Sequence, residues 1–536
     1  MHDLAVSSSS LRSNLRHDLL SSVVVFLVAL PLCMGIAIAS GMPPAAGLIT
    51  GIVGGIVVGL IGGAPFQVSG PAAGLSVMVY ELVQRKEMGL AAIGAIVFSA
   101  GLAQLLAGSL RFGQWFRAVS PAVIRGMLTG IGVLIFAGQF HIMVDDAPKG
   151  SGLQNLLSIP QSIWKGIVPL DGSAHHVAAR IGILTIILIL VWKTLTPKKW
   201  RVVPAPLIAI AVATAVTAWT DLQIRLVPIP DQLIQSIHWP TSADLHRLLD
   251  GQIIAAGLAL AFVASAETLL CASAVDQLHS GQRTRYDREL AAQGVGNMLC
   301  GVMSALPMTG VIVRSAANVE AGAKSRWSAV LHGAWLLVLV LIFPHVLRAI
   351  PTASLAALLV FTGYKLIDFK AVRELRPYGR SEVAIFIATA ATIVFTDLLT
   401  GVLVGVAISV AKLLYTFSHL EIRLNDERSE NRTVMHLRGA ATFIRLPKLA
   451  AALEQVRPST ELHVHLERLE YIDHACLDLL MNWEKQHETT GGRLVVDWDH
   501  LTAKFRRDRD EEPVTAGRAS AAPRTRRELE PVIAPG

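Results

Sequence analysis

Residues 19 to 416 hold one long apolar run after another, with few charges inside any of them, and that pattern restricts the solvent the chain can fold in. A helix rises 1.5 Å per residue, so crossing a hydrocarbon core of about 30 Å takes roughly 20 apolar residues. Runs of that kind lie near 19–40, 45–61, 90–110, 118–139, 177–195, 250–273, 288–305, 327–344, 351–366, 381–396 and 399–416, with a shorter Pro-flanked one at 203–219. Charged residues make up 16% of the chain, against about 25% in a soluble domain. The deficit falls in these runs, so the sequence predicts an α-helical, polytopic membrane protein embedded in a lipid bilayer. The N-terminal 1–18 is a polar segment, and the first run lacks a small-residue cleavage pattern, which marks a retained helix rather than a signal peptide. Cys33, Cys271 and Cys300 sit inside apolar runs and Cys476 lies beyond them. None has metal-ligand spacing, which argues against a disulfide framework, a metal site or a bound cofactor.

Two further segments are neither loops nor simple spans. Residues 64–80 (APFQVSGPAAGLSVMVY) and 305–323 (ALPMTGVIVRSAANVEAGA) each open with a Pro-containing stretch and leave room for only a short helix. Counting them gives fourteen spans, with the broken ones third and tenth, hence third in each half of seven. Matched interruptions in two halves point to an inverted repeat, and seven spans per half require the second half to be inverted. Lys and Arg crowd the loops on the side of the N-terminus, as in Lys193, Lys198, Lys199 and Arg201, or Lys365, Lys370, Arg373, Arg376 and Arg380. The positive-inside rule then puts both termini in the cytoplasm, in the cell inner membrane. The basic residues are a topology signal here, and no nucleic-acid partner is expected.

Open backbone at membrane depth survives only where protein or a water-filled cavity surrounds it. The two broken segments therefore face a common cavity, each directing a helix N-terminus with free N–H groups and partial positive charge toward it. Such a pocket suits an anion. Gly70, Ala72, Ala73 and Gly74 leave backbone accessible on one side, and Ser69 and Ser315 offer hydroxyl donors. Arg314 starts the second short helix, where the dipole repels a cation and bilayer depth costs about 2.5–3.5 kcal/mol or more. An anion or a carboxylate must complete it; the structural alternative is pairing with Glu320 or backbone carbonyls. Glu267, alone in ASAETLLCASA, can take a proton, hold a cation, or pair with Arg314. Arg125 is expected to snorkel, His141 to sit at the interface, His332 to be a packed core histidine, and Asp397 to lie in an exposed turn.

The motifs ALPLCMGIAIASGMPPAAGL, PFQVSGPAAG and LPMTGVIVRSAANVEAGAKSR resemble the sulfate-permease (SulP) family of anion transporters over residues 20 to about 500. The stretch SPAVIRGMLTGIGVLIFAGQFHIMVDD is similar to a bacterial branch whose members are sometimes fused to carbonic anhydrase. The resemblance implies a core domain (spans 1–4 and 8–11), a gate domain (spans 5–7 and 12–14) and a homodimer. It implies secondary active transport of a small inorganic anion, sulfate or bicarbonate, by alternating access, and no enzymatic reaction. It also implies a substrate site at Leu32, Cys33, Ser69, Gly70, Ala72, Ala73, Val313, Arg314, Ser315 and Ala316, with coupling through Glu267 and Cys271 to H+ or Na+. Leu32 stands where many members have Gln or Glu. Cys271 stands where sodium-coupled members carry a hydroxyl, which favours the proton. A nucleobase permease of the same fold and a membrane-anchored signalling module are the alternatives.

After the transport region at 19–416 the period changes. TVMHLRGAATF, ELHVHLERLEYI and GRLVVDWD read as strands, and KLAAALEQV and ACLDLLMNWEKQHETTG as helices. This small cytoplasmic α/β unit, 430–503, resembles STAS domains. The family's phosphorylatable turn appears as Asp473-His474-Ala475-Cys476, without a hydroxyl. The remainder, 504–536, is expected to be a disordered tail.

Overall fold

The computed structural model describes residues 8–85, 89–114, 120–149, 151–168, 173–197, 203–230, 237–240, 246–427 and 431–496. The expected disorder of 504–536 and the basic residues Lys198, Lys199 and Arg201 fall outside them. The chain separates into two compact units between Ser409 and Val410.

The first unit is helical throughout, apart from two short strands. Its elements are α1 (Ser8–Ala39), α2 (Pro44–Ile61, with a π-helical turn at Gly54–Val58), β1 (Ser69–Pro71), α3 (Ala73–Gln84), α4 (Gly89–Ser109), α5 (Pro121–Met143), α6 (Gly152–Ile167), α7 (Ala174–Leu195) and α8 (Ala205–Trp219). They continue with α9 (Gly251–Asp276), α10 (Tyr286–Val302), β2 (Met308–Gly310), α11 (Ile312–Glu320), α12 (Trp327–Ile342), α13 (Thr352–Leu366), α14 (Arg380–Phe395) and α15 (Leu398–Ser418), which runs across the division at Ser409. Seven of these helices are long and apolar enough to cross a membrane: α1, α2, α4, α5, α7, α9 and α15, allowing for a shorter described stretch in some. Every segment expected from the sequence contains a helix. α1 packs on α2 and α12, and α4 lies along α9 and α10. In the other group α5 packs on α13 and α14, and α7 on α8 and α13.

The longest element of this unit outside the expected runs is α6; a short helix at Ala371–Leu375 is another. α6 is amphipathic and interrupted by Pro160, so its apolar residues recur with helical period instead of forming a continuous run. It also covers His141. That ring is fully buried beneath α6, with Nδ1 2.7 Å from Ser162 Oγ and Nε2 3.0 Å from the Asn155 carbonyl oxygen. Arg125 is more than a snorkelling cation, since it binds Glu374 at 2.7 Å and approaches Asp368 at 3.6 Å. Asp397 caps α15 by accepting from the Thr400 N–H and hydroxyl.

The second unit contains a four-stranded sheet of β3 (Leu420–Glu427), β4 (Arg432–Ala441), β5 (Glu461–Ile472) and β6 (Arg493–Val496) in that order. β3–β4 is antiparallel and the other two pairings are parallel. Helices α16 (Leu446–Leu453) and α17 (His474–Glu488) supply the crossovers, and Leu449, Leu453, Cys476 and Leu480 pack with Met435, Leu437, Leu462 and Val464. β3 begins ten residues ahead of the expected boundary at 430. Its charges, half-buried Glu421 and Glu427 and exposed Arg423 and Asp426, hide its apolar alternation in the sequence.

Asp473 is the N-cap of α17, accepting from the Cys476 N–H at 2.9 Å and also from the Phe443 N–H. Desolvation works to raise its pKa, but these amide bonds outweigh it, and the carboxyl stays below the usual range. Burial, reinforced by Asp473, pushes the Cys476 thiol up to about 12, so that position holds an unreactive neutral thiol. Asp473→Ala should lower the stability of this unit by about 1 kcal/mol, the ordinary cost of a lost cap. A depressed carboxyl stabilises above its unfolded pKa of about 3.9 and loses the contribution as pH falls through its lower folded value. Thermal melts of the full chain should show the wild-type advantage at pH 7 shrinking below about pH 4.

Candidate functional site

Pro65 and Pro71 in the first broken segment, and Pro307 in the second, deny the backbone a continuous helix. The two extended stretches satisfy each other instead. β1 and β2 pair antiparallel in the register Ser69↔Gly310, Gly70↔Thr309 and Pro71↔Met308. α3 and α11 leave this ladder two residues beyond each strand. Neither has a side-chain cap at its first residue, Ala72 and Val311 serving as N-caps. The N–H groups of both first turns are therefore open to a ligand.

A polar row on α10 holds the extended backbone in place. Glu289, Gln293 and Asn297 recur every four residues, which sets them on one face. The Glu289 carboxylate accepts from the N–H groups of Gly63 and Ala64 and from the amides of Gln67 and Gln293, at 2.8–2.9 Å. Gln293 donates to Ser69 Oγ, and Asn297 both accepts from the Met308 N–H at 2.7 Å and donates to its carbonyl. These residues extend from the start to the middle of the 288–305 run, where the surrounding apolar residues mask them, though their spacing is a readable signal. Removing one partner of a buried charged network costs about 3–5 kcal/mol. Glu289→Ala should therefore abolish folded yield or cut the melting temperature sharply, while Glu289→Gln, which keeps some acceptor capacity, loses less.

Arg314 is fully buried in the first turn of α11. A Cβ added to Gly70 would overlap its Nη1, so β1 lies directly over the guanidinium at this glycine. The Cys33 thiol and the His332 ring are within electrostatic reach. Nε, Nη1 and Nη2 make no hydrogen bond of ordinary geometry among the described residues, with the Cys33 sulfur a weak acceptor close by. Glu320 and Glu267 form no ion pair with Arg314. His332 is buried as the sequence suggested, with Nδ1 2.5 Å from the Ala329 carbonyl oxygen.

Glu267 lies elsewhere. Its carboxylate faces α3 at Gly74, whose added Cβ would sit 3.1 Å from both oxygens, and Ile131 of α5 meets the same point at 3.0 Å. Gly74 is the second residue of α3, so Glu267 approaches an uncapped helix start, and its Oε2 has no hydrogen-bond partner among the described residues. The other proposed positions divide into two groups. Gly70, Ala72, Ala73 and Val313 lie at the two helix starts, with Val313 exposed and Ala316 half-buried one turn into α11. Leu32 and Cys33 are buried in α1, and the Cys33 sulfur packs against Gly51 of α2.

The hydroxyls of Ser69 and Ser315 are committed to the framework. Ser315 Oγ accepts from the Val68 N–H at 2.9 Å and donates to the Val311 carbonyl, and the Cys271 sulfur lies 3.9 Å from it. A cavity of about 730 Å³ opens between the far end of α3 (Met78, Glu81, Arg85), the start of α9 and Thr396–Thr400.

Residues 15–389 match the sulfate permease family, and residues 424–507 match the Mlab STAS domain. The chain is similar to a putative sulfate transporter of Bacillus subtilis, YvdB, with 28% identity over 89% of this chain and 90% of that one. It is also similar to the bicarbonate transporter BicA of a Picosynechococcus strain, with 25% identity over 76% and 72%. Among solved structures, SLC26A9 superposes with a TM-score of 0.72 over 93% of this chain and 88% of its own, at 15% identity. The transmembrane domain of a cyanobacterial BicA gives 0.61 over 73% and 97%, at 23% identity.

Proposed function

The chain belongs to the sulfate permease family, and from that premise we propose that it carries a small inorganic anion, sulfate or bicarbonate, by secondary active transport with alternating access. The observation that carries this reading is the fully buried Arg314 guanidinium, unmatched among the described residues, beneath a strand ladder from which two uncapped helix starts emerge. An anion at the N–H groups of Ala73, Gly74, Ile312 and Val313 supplies the missing negative charge. Arg314 acts from behind Gly70, as a fixed charge rather than a direct ligand. Ser69 and Ser315 hold the ladder in shape.

Glu267, facing the same start of α3, is the coupling residue in this reading. Protons fit better than sodium, because a hard cation needs several oxygen ligands and Cys271 offers sulfur already placed against Ser315. The cavity beside Glu81 forms the approach along α3 from one side. The protein works as a homodimer in the cell inner membrane with both termini in the cytoplasm. Uptake of labelled sulfate, bicarbonate and uracil into proteoliposomes, under imposed proton and sodium gradients, tests the proposal. Saturable uptake of one anion supports it, and uracil uptake with no anion flux would instead establish the nucleobase alternative.

A further inference from the structure

α7 and α13 pack side by side and bring two lysines to their C-terminal turns. Lys193 Nζ lies 4.7 Å from the centre of the Phe361 ring, and Lys365 Nζ lies 5.0 Å from the same centre. Both ammonium groups thus converge on one ring, close enough to repel each other directly. Neither forms an ion pair with a carboxylate among the described residues. Asp368, the acid next along the chain, is turned to Arg125 instead.

The surroundings are those of a membrane–water boundary. Leu190, Val191 and Leu195 are exposed on α7, and Tyr364 and Phe369 project beside Lys365 with their rings 5.9 Å apart. Exposed aliphatic side chains below a ring of aromatics mark the level of lipid headgroups. The flanking sequence adds Lys370, Arg373 and Arg376 on one helix end and Lys198, Lys199 and Arg201 beyond the other. Favourable interaction with helix C-termini accounts for one lysine at each end. It does not account for two cations converging on a single ring without an acid between them.

We propose that Lys193, Lys365 and Phe361 form a binding site for the phosphate of an anionic phospholipid. The phosphodiester bridges the two ammonium groups, and its acyl chains lie along Leu190, Val191 and Leu195. This site is separate from the transport site, and its assignment does not depend on which anion is carried. The occupant is a lipid rather than free phosphate, because two exposed ammonium groups hold an inorganic ion weakly in water while the apolar flank retains a lipid.

The test compares wild type with Lys193→Gln/Lys365→Gln and with Lys193→Arg/Lys365→Arg. Each is reconstituted in phosphatidylcholine nanodiscs with a titration of phosphatidylglycerol, and lipid retained through detergent extraction is read by native mass spectrometry. Wild type and the Arg pair should retain phosphatidylglycerol over phosphatidylcholine by about tenfold or more, since each basic residue near the surface adds about one tenfold step or somewhat less. The Gln pair should lose that preference while melting normally. If the double Gln variant does not fold, the single Lys365→Gln variant should show a partial loss. Equal phosphatidylglycerol retention by wild type and the Gln variants would overturn the site. Displacement of the retained lipid by millimolar inorganic phosphate would show that the occupant is the free ion, and would overturn the lipid assignment.

Discussion

Replacing Arg314 with methionine should weaken anion binding at least tenfold while the protein still folds and inserts. The reasoning is electrostatic. Arg314 is fully buried and lies directly behind Gly70, two residues before the N-cap of α3. At a separation of about 8 Å and an effective dielectric of about 20, a monoanion gains about 2 kcal/mol. A tenfold change in affinity needs only about 1.4 kcal/mol. Methionine keeps most of the volume, so the substitution separates loss of charge from the cavity that alanine would leave. A dianion gains about twice as much as a monoanion from the same charge, so the variant should lose more sulfate affinity than bicarbonate affinity. Isothermal titration or substrate-dependent melting of purified protein measures both. Normal folding with unchanged affinity for every transported anion would make Arg314 a structural residue and dismantle the site.

The parts of this fold that follow from solvation alone were legible in the sequence. Long apolar runs announced the helices, and Pro with Gly in matched places announced the broken segments, because neither signal depends on knowing the neighbours. The chemistry of individual polar residues was harder to read. Ser69 and Ser315 looked like ligands, but a buried hydroxyl next to open backbone is first claimed by that backbone, here by Val68 N–H and Val311 carbonyl, or by Gln293. Pairing of Glu267 with Arg314 was one open alternative because both are charges at membrane depth. Sequence distance could not show that one faces Gly74 and the other lies behind Gly70. α6 and β3 escaped for a related reason, since each is half polar and contributes only one face to the packing.

Glu267→Gln should leave anion exchange intact and remove its acceleration by an inward proton gradient. The carboxylate of Glu267 and a bound anion would face the same helix start at Gly74, so two negative charges compete for one set of N–H groups. Taking up a proton with the anion removes that repulsion, and releasing both on the opposite side completes a coupled cycle. One pH unit of gradient is worth about 1.4 kcal/mol per proton, so wild-type protein carrying one proton per anion should support roughly tenfold accumulation per unit. Glutamine keeps the shape and neutrality of the protonated acid but cannot lose the charge-bearing proton. The variant should therefore equilibrate anion across the bilayer without accumulating it, and its exchange rate should be flat across a pH range in which the wild-type rate varies. The measurement is anion uptake into proteoliposomes with a pH step, with and without sodium. Uptake that requires sodium at constant pH and ignores the step would reject proton coupling and leave Glu267 as a cation ligand, whose loss on substitution with glutamine would then appear as a raised sodium requirement.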